Sequence, residues 1–166
     1  FRKIKRVQDV VKIFAGVNKQ IPSKLLFVGD GPERNTAEDL SRELGVCDEI
    51  RFVGKQEQME DILAIADLFL LTSEYESFGL AALEAIAAGV PVVSTNAGGL
   101  GEINIPGVTG YLSDVGDVVS MTEQSLSILK DDSTLQGFKK RASAHAQKFD
   151  IHHIIPQYEK LYERFL

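Results

Sequence analysis

The chain has 166 residues, 44% hydrophobic and 25% charged, with a net charge of −6. That length suits one domain with a substantial core and is too short for two of ordinary size. The negative balance argues against a general nucleic-acid binder. No apolar run approaches the length of a membrane-spanning helix, and the charged opening Phe1-Arg2-Lys3-Ile4-Lys5-Arg6 has no apolar run behind it, so no signal peptide is read there. The single cysteine, Cys47, excludes an intrachain disulfide and a cysteine metal cluster, and fits a reducing cytoplasm. A first residue that is Phe rather than Met reads as a fragment of a longer protein.

Along the chain, short apolar β-branched runs alternate with helical patterns. A helix is predicted near 7–18, with Val7, Val10, Val11 and Phe14 on one face. Leu25-Leu26-Phe27-Val28 reads as a buried strand closed by Gly29-Asp30-Gly31-Pro32, followed by a helix near 33–44. Further strands are predicted at Ile50-Arg51-Phe52-Val53, Leu68-Phe69-Leu70-Leu71 and Val92-Val93-Ser94, with helices near 57–65 and 78–88 between them. Tyr111-Leu112 offers a last short strand, after which helices are expected near 117–129, 134–147 and 152–165. Continuous apolar strands separated by helices imply right-handed crossovers and a parallel sheet covered on both faces. The expected fold is therefore α/β, a Rossmann-like doubly wound parallel sheet flanked by helices, with C-terminal helices. The first helix has no strand ahead of it, so a cut just after or within a first strand is expected.

The stretch from Ser77 to Gly89 is the most informative. It reads as a helix capped by Ser77 and ended by Gly89, with Pro91 preventing continuation. It is apolar almost all round and is expected to be buried beside the sheet. Glu84 is its only ionisable residue, so a buried carboxylate in need of donors is expected there. A ribose with two adjacent hydroxyls would supply them, as would an Arg or a backbone amide. Gly79 lets a ligand approach the amides of Phe78, Gly79 and Leu80, and free amides at a helix N-terminus favour an anion such as a phosphate. Glu76 precedes Glu84 by eight positions and sits at the mouth of such a site, or is a surface acid well placed near the helix dipole.

Four of the first six residues are basic, at the N-terminus of a helix whose dipole disfavours cations. They point to a bound anion, or to a solvated basic end eased by Asp9. Gly29-Asp30-Gly31-Pro32-Glu33 lies at the carboxyl end of a strand, where doubly wound sheets hold ligands, but it lacks the GxGxxG fingerprint and also reads as a tight turn. Gly98-Gly99-Leu100-Gly101-Glu102 is a second flexible loop after a strand. His145, His152 and His153 read as surface or packing residues, and Asp131-Asp132 as a turn and cap rather than a metal site.

Taken together, these segments resemble the C-terminal domain of a GT-B glycosyltransferase of family 4, over essentially the whole chain. Glu76 and Glu84, with Ser77-Phe78-Gly79-Leu80 between them, match that family's Glu-x7-Glu pattern. Also similar are Val28-Gly29-Asp30-Gly31-Pro32-Glu33, Phe52-Val53-Gly54, Ala66-Asp67, Gly89-Val90-Pro91-Val92-Val93, Gly98-Gly99 with Glu102, and Gly107-Val108-Thr109-Gly110. Leu100-Gly101 departs from the Ile-Pro common before Glu102. The stretches Phe1–Val11 and Ser73–Leu80 are most similar to the bacillithiol-pathway branch, which joins N-acetylglucosamine from UDP-GlcNAc to L-malate.

The resemblance implies a role for each matched position. Glu84 would bind the ribose, and Glu76 would contact the donor sugar. The amides of Phe78, Gly79 and Leu80 would hold the sugar and distal phosphate. Arg2 and Lys5 match the family's phosphate-binding pair at a shorter spacing than usual, which keeps Lys3 and Arg6 as candidates. Lys55 and Gln56 lie in the loop that reaches the base, and Ser77, Gly29 and Gly31 complete the donor-binding set. The resemblance also implies a retaining, metal-independent transfer with no cofactor, and an N-terminal acceptor-binding domain outside this chain. Its final helix, from His152 to Leu166, would expose an apolar face able to promote homo-oligomers. A UDP-sugar epimerase or dinucleotide oxidoreductase of the same architecture, or a non-catalytic nucleotide-binding module, are the competing readings. The missing GxGxxG disfavours the oxidoreductase, and the Glu-x7-Glu pattern disfavours the epimerase and a decayed site.

Overall fold

In the computed structural model, which describes residues 1–165, helix α1 spans Val7–Asn18 and joins the two halves of the sheet. Its residues Val7, Val10, Val11, Phe14 and Ala15 pack against Phe27 and Ile50, while Ile13 and Val17 reach the other way to Val93, Met121 and Ile128. Two apolar stripes on one helix follow from its near-continuous run of Val, Ile, Phe and Ala.

The first half consists of parallel strands β1 (Leu25–Val28) and β2 (Ile50–Gly54), joined by α2 (Arg34–Glu43). Phe27 stacks on Phe52 at 5.1 Å, and Phe1 meets Phe27 edge-on at 5.0 Å. Such aromatic pairs contribute about 0.5–1.5 kcal/mol beyond their burial. The second half consists of parallel strands β3 (Phe69–Leu71), β4 (Val92–Thr95) and β5 (Gly110–Ser113), in that order. Helix α3 (Met59–Ala64) leads from β2 to β3, and α4 (Leu80–Ala87) and the short α5 (Leu100–Ile103) connect β3 to β4 and β4 to β5. Helices α6 (Val118–Leu129), α7 (Asp132–Ala146) and α8 (Ile151–Tyr162) complete the chain.

The fold is thus the expected α/β arrangement of parallel strands flanked by helices, with one difference. The ladder is two separate sheets, β1-β2 and β3-β4-β5, rather than one. No strand precedes α1 among the described residues.

Strand β4 lies at the centre of the larger sheet and is buried throughout. Val92 enters the cluster with Ala82, Ala85, Ile86, Leu100 and Ile103, while Val93 enters the cluster with Ile13, Met121 and Phe138. Alternation along the strand therefore serves both faces of the sheet. Behind it, the wholly buried Asn104 donates to the carbonyls of Val92 and Tyr111 at 3.0 and 2.9 Å and to Ser94 Oγ at 3.0 Å. Its own carbonyl accepts from Thr109 Oγ1 at 2.9 Å. One amide thus ties β4, β5 and the connection between them.

The predicted cap at Asp131 is present, its carboxylate accepting from the amide of Thr134 at 2.8 Å; Asp117 caps α6 in the same way, accepting from the amide of Ser120 at 3.0 Å. The Ser120 hydroxyl and then its amide hold the Asp117 carboxyl below its ordinary pKa, and the amide and hydroxyl of Thr134 do the same for Asp131. Among the described residues no helix is long and apolar enough to cross a membrane. Helix α8 exposes Ile151, Ile155, Tyr158, Leu161 and Tyr162, and Phe165 beyond it is exposed too; Leu166 lies outside the described residues.

Candidate functional site

Five segments meet at the carboxyl ends of the strands. The loop after β2 joins the loop after β1 through the amide of Gly29, which donates to the carbonyl of Gly54 at 2.7 Å. The loop after β1 lies against the chain's first residue: the carbonyl of Phe1 accepts from the amide of Glu33, and Gly31 approaches the Phe1 backbone so closely that a side chain would collide with it. The basic opening segment then meets the loop after β3, where the amide of Glu74 donates to the carbonyl of Ile4 at 2.8 Å. That loop in turn meets the loop after β4, through the amide of Gly99 and the carbonyl of Glu76. Lys55 and Gln56 are exposed at one end of this row, and the side-chain amide of Gln56 donates to the carbonyl of Val53 at 2.6 Å.

Near the middle, the ammonium of Lys5 pairs with the carboxylate of Glu76. Glu76 also accepts from Ser73 Oγ at 2.9 Å. Arg6, next in sequence, is engaged elsewhere: its Nε bonds Asp9 Oδ2 at 2.6 Å and its Nη1 bonds Glu74 Oε1 at 3.1 Å. The bond to Asp9 outweighs partial burial and, with Glu74, raises the guanidinium pKa further above its ordinary value. The four basic residues are therefore unequal. Arg2 and Lys3 are exposed, Lys5 reaches Glu76, and Arg6 is held by two carboxylates.

Helix α4 differs from its sequence reading in two respects. It begins at Leu80, and the capping position belongs to Gly79, not Ser77, with no side-chain cap. Gly79 has φ 92°, a left-handed conformation that suits glycine, and a methyl group there would come within 2.6 Å of Leu100 Cδ2. Ser77 lies outside the helix in an exposed loop. Among the described residues the amides of Phe78, Gly79, Leu80 and Ala81 find no acceptor, as expected of groups at a helix start.

Second, Glu84 is exposed, not buried. The helix buries Ala82, Ala85 and Ile86 against Leu100, Ile103 and Ala142, which turns Leu80, Ala81 and Glu84 outward. Alanines made the sequence look apolar on every face, yet only one stripe is covered. No ion pair or hydrogen bond engages the Glu84 side chain among the described residues, so it stands free about 6 Å along the axis from Leu80.

The family model described as "Glycosyl transferases group 1" matches residues 1–145. The chain belongs to that family. Among the relatives of this group 1 chain is the N-acetyl-alpha-D-glucosaminyl L-malate synthase of Bacillus anthracis, 45% identical over 98% of this chain and 43% of that protein. Another is the 2-deoxystreptamine N-acetyl-D-glucosaminyltransferase of Niallia circulans, 33% identical over 90% of this chain and 40% of that protein. The chain spans less than half the length of these curated relatives. A GT-B structure, the sucrose-phosphate synthase of Thermosynechococcus elongatus, superposes with a TM-score of 0.85 at 30% identity, over 99% of this chain and 43% of that one. Anabaena Alr3699/HepE in complex with UDP superposes with a TM-score of 0.89 at 25% identity, over 98% of this chain and 46% of that one.

For a group 1 glycosyl transferase, the sequence reading overlooked two side chains at the site. Thr72 and Ser73 are buried directly after β3, and Thr72 Oγ1 lies 2.9 and 3.0 Å from the carbonyls of Lys5 and Arg6. Their place at the carboxyl end of a strand was the available signal. The Gly98–Glu102 stretch, read as a flexible loop, instead enters α5 at Leu100, whose buried side chain packs beneath Gly79.

Proposed function

We propose that this chain is the donor-binding part of a retaining family 4 glycosyltransferase. Its donor is a UDP-sugar, UDP-GlcNAc, and its acceptor is L-malate or a similar hydroxy acid. The observation that carries this reading is the meeting of Lys5 and Glu76 beside a helix start whose amides, among the described residues, have no acceptor, with Glu84 exposed on the same helix. The diphosphate lies against the amides of Phe78, Gly79 and Leu80 and the positive charge of Lys5 and Arg2. Glu84 accepts from the ribose hydroxyls, and Glu76 binds the sugar. Ser77, Gly29 and Gly31 border the donor, and Lys55 and Gln56 lie toward the base.

In the reaction the bond from the anomeric carbon to the distal phosphate oxygen breaks, and UDP departs with the electron pair. The acceptor oxygen forms its bond on the same face, and its proton passes to the departing phosphate oxygen, so the configuration is retained. Lys5, Arg2 and the helix amides oppose the negative charge that builds on UDP, an electrostatic contribution fixed before the reaction begins. On this reading the transfer is metal-independent and cytoplasmic, and the acceptor is held by a domain outside the chain. The isolated chain is expected to bind donor and transfer nothing.

Thermal-shift competition tests the donor. UDP-GlcNAc and UDP are expected to raise the melting temperature, whereas GDP-mannose and ADP-glucose are not. A larger shift with either of the latter contradicts the uridine assignment.

A further inference from the structure

Among the described residues Arg6 is the one non-glycine residue with a left-handed backbone, at φ 47° and ψ 46°. A side chain disfavours that conformation, so surrounding contacts must impose it. They are all present. Arg6 closes the 3-10 turn Lys3–Lys5, with its amide donating to the carbonyl of Lys3 at 2.9 Å, and its own carbonyl accepts from the amide of Asp9 at 2.9 Å. The Thr72 hydroxyl lies within hydrogen-bond distance of the carbonyls of Lys5 and Arg6. The guanidinium spans from Asp9, only 4% exposed, to Glu74 in the loop that carries Glu76. It also lies against the loop after β5, where a methyl group on Gly116 would come within 3.1 Å of Nη2.

One side chain therefore links the start of α1 to the loops after β3 and β5, and the residue just before it is Lys5. We propose that Arg6 is a positioning residue for the donor site: it fixes the turn that aims Lys5 at Glu76 and does not itself bind the donor. Its Nε and Nη1 are already engaged by Asp9 and Glu74. The proposal rests on the donor-binding reading above and adds that Arg6 acts through Lys5.

The test uses the whole chain with Arg6→Gly and Arg6→Lys, each alone and combined with Lys5→Ala. Glycine tolerates the left-handed backbone, so Arg6→Gly removes the ion pairs while leaving the turn sterically allowed. Because the buried Asp9 loses its closest partner, the melting temperature is expected to fall while the chain still folds, and the Arg6→Lys arm provides a second folded variant. Without nucleotide, exchange of the Glu74 amide hydrogen is expected to speed up about tenfold in Arg6→Gly, because its bond to Ile4 loses its brace. With UDP, Arg6→Gly is expected to weaken binding about tenfold, and Arg6→Lys to restore little, since an ammonium cannot bridge both carboxylates. In the Lys5→Ala background, Arg6→Gly is expected to add less than a twofold loss, as groups acting as one unit are non-additive. Full rescue by Arg6→Lys, or additive losses with Lys5→Ala, would identify Arg6 as a direct phosphate ligand and overturn the proposal. Unchanged Glu74 exchange overturns it too. Failure of both the unsubstituted chain and a longer protein containing it to bind UDP overturns instead the donor reading, while the exchange measurement still decides whether Arg6 holds the turn.

Discussion

The amide of Gly99 donates to the carbonyl of Glu76 across 3.0 Å, coupling the loop after β4 to the residue whose carboxylate pairs with Lys5. Gly98, next to it, has φ 56°, and a methyl group on it would come within 1.8 Å of that same carbonyl oxygen. Gly98→Ala is therefore expected to displace residues 73–79 and to cost about 1–3 kcal/mol of stability, the range for forced backbone strain. Chemical denaturation checks this. A midpoint equal to that of the unsubstituted chain would contradict the described packing of the two loops.

Glu84 separates binding from folding. Its exposed carboxylate has no partner among the described residues, so Glu84→Ala is expected to leave stability within about 0.5 kcal/mol. Hydrogen bonds to a charged group are worth about 1.5–3 kcal/mol, so uridine nucleotide affinity is expected to fall roughly 10- to 150-fold. Titration and melting of the same variant measure both quantities. Loss of stability with affinity retained would reverse the assignment.

Asn104 makes the opposite prediction. Asn104→Ala leaves the carbonyls of Val92 and Tyr111 without this donor in a wholly buried site. The expected cost is about 1–3 kcal/mol, a loss of several degrees in melting temperature at this chain length. An unchanged melting curve would mean that the network carries no net stability.

His145 in α7 gives the fold a pH dependence. Burial, and then the nearby charge of Lys148, lower its pKa below the ordinary imidazole value. Its ring packs 5.7 Å from that of Phe149, and Nε2 is buried without a partner. Because the folded state resists the proton, the unfolded chain binds more of it once pH falls below about 6.5. Stability from this group is therefore full above that pH and declines toward the lower folded pKa. Denaturation midpoints between pH 7.5 and 5.0 are expected to fall less steeply in His145→Phe than in the unsubstituted chain. Equal slopes would contradict this.

The exposed apolar face of α8 is expected to drive self-association. Sedimentation velocity should show a mass that rises with concentration and a weaker rise in Ile155→Lys. A strictly monomeric chain at high concentration would contradict it.

Much of the fold was legible because local pattern and tertiary packing agree. The spacing of Val7, Val10, Val11 and Phe14 gave the helix at 7–18 its bounds, and the run at 25–28 gave β1. Helix α4 was misread where local signals conflict with packing. Ser77 is a good cap by residue type, yet Gly79, held over Leu100, occupies the capping position. Alanine hides orientation, so the outward face carrying Glu84 could not be told from the inward one. The basic residues at the start are alike in sequence, and only the contacts with Glu74 and Glu76, some 70 positions away, distinguish Lys5 from Arg6.

The most direct test of the donor-domain reading is calorimetric titration of this chain with UDP and then UDP-GlcNAc, with GDP and NAD as controls. Saturable binding of UDP and UDP-GlcNAc, with no heat of binding from GDP or NAD, is the predicted result. Tighter binding of NAD or GDP than of UDP, or no saturable uridine nucleotide binding by either this chain or a longer protein containing it, would contradict it.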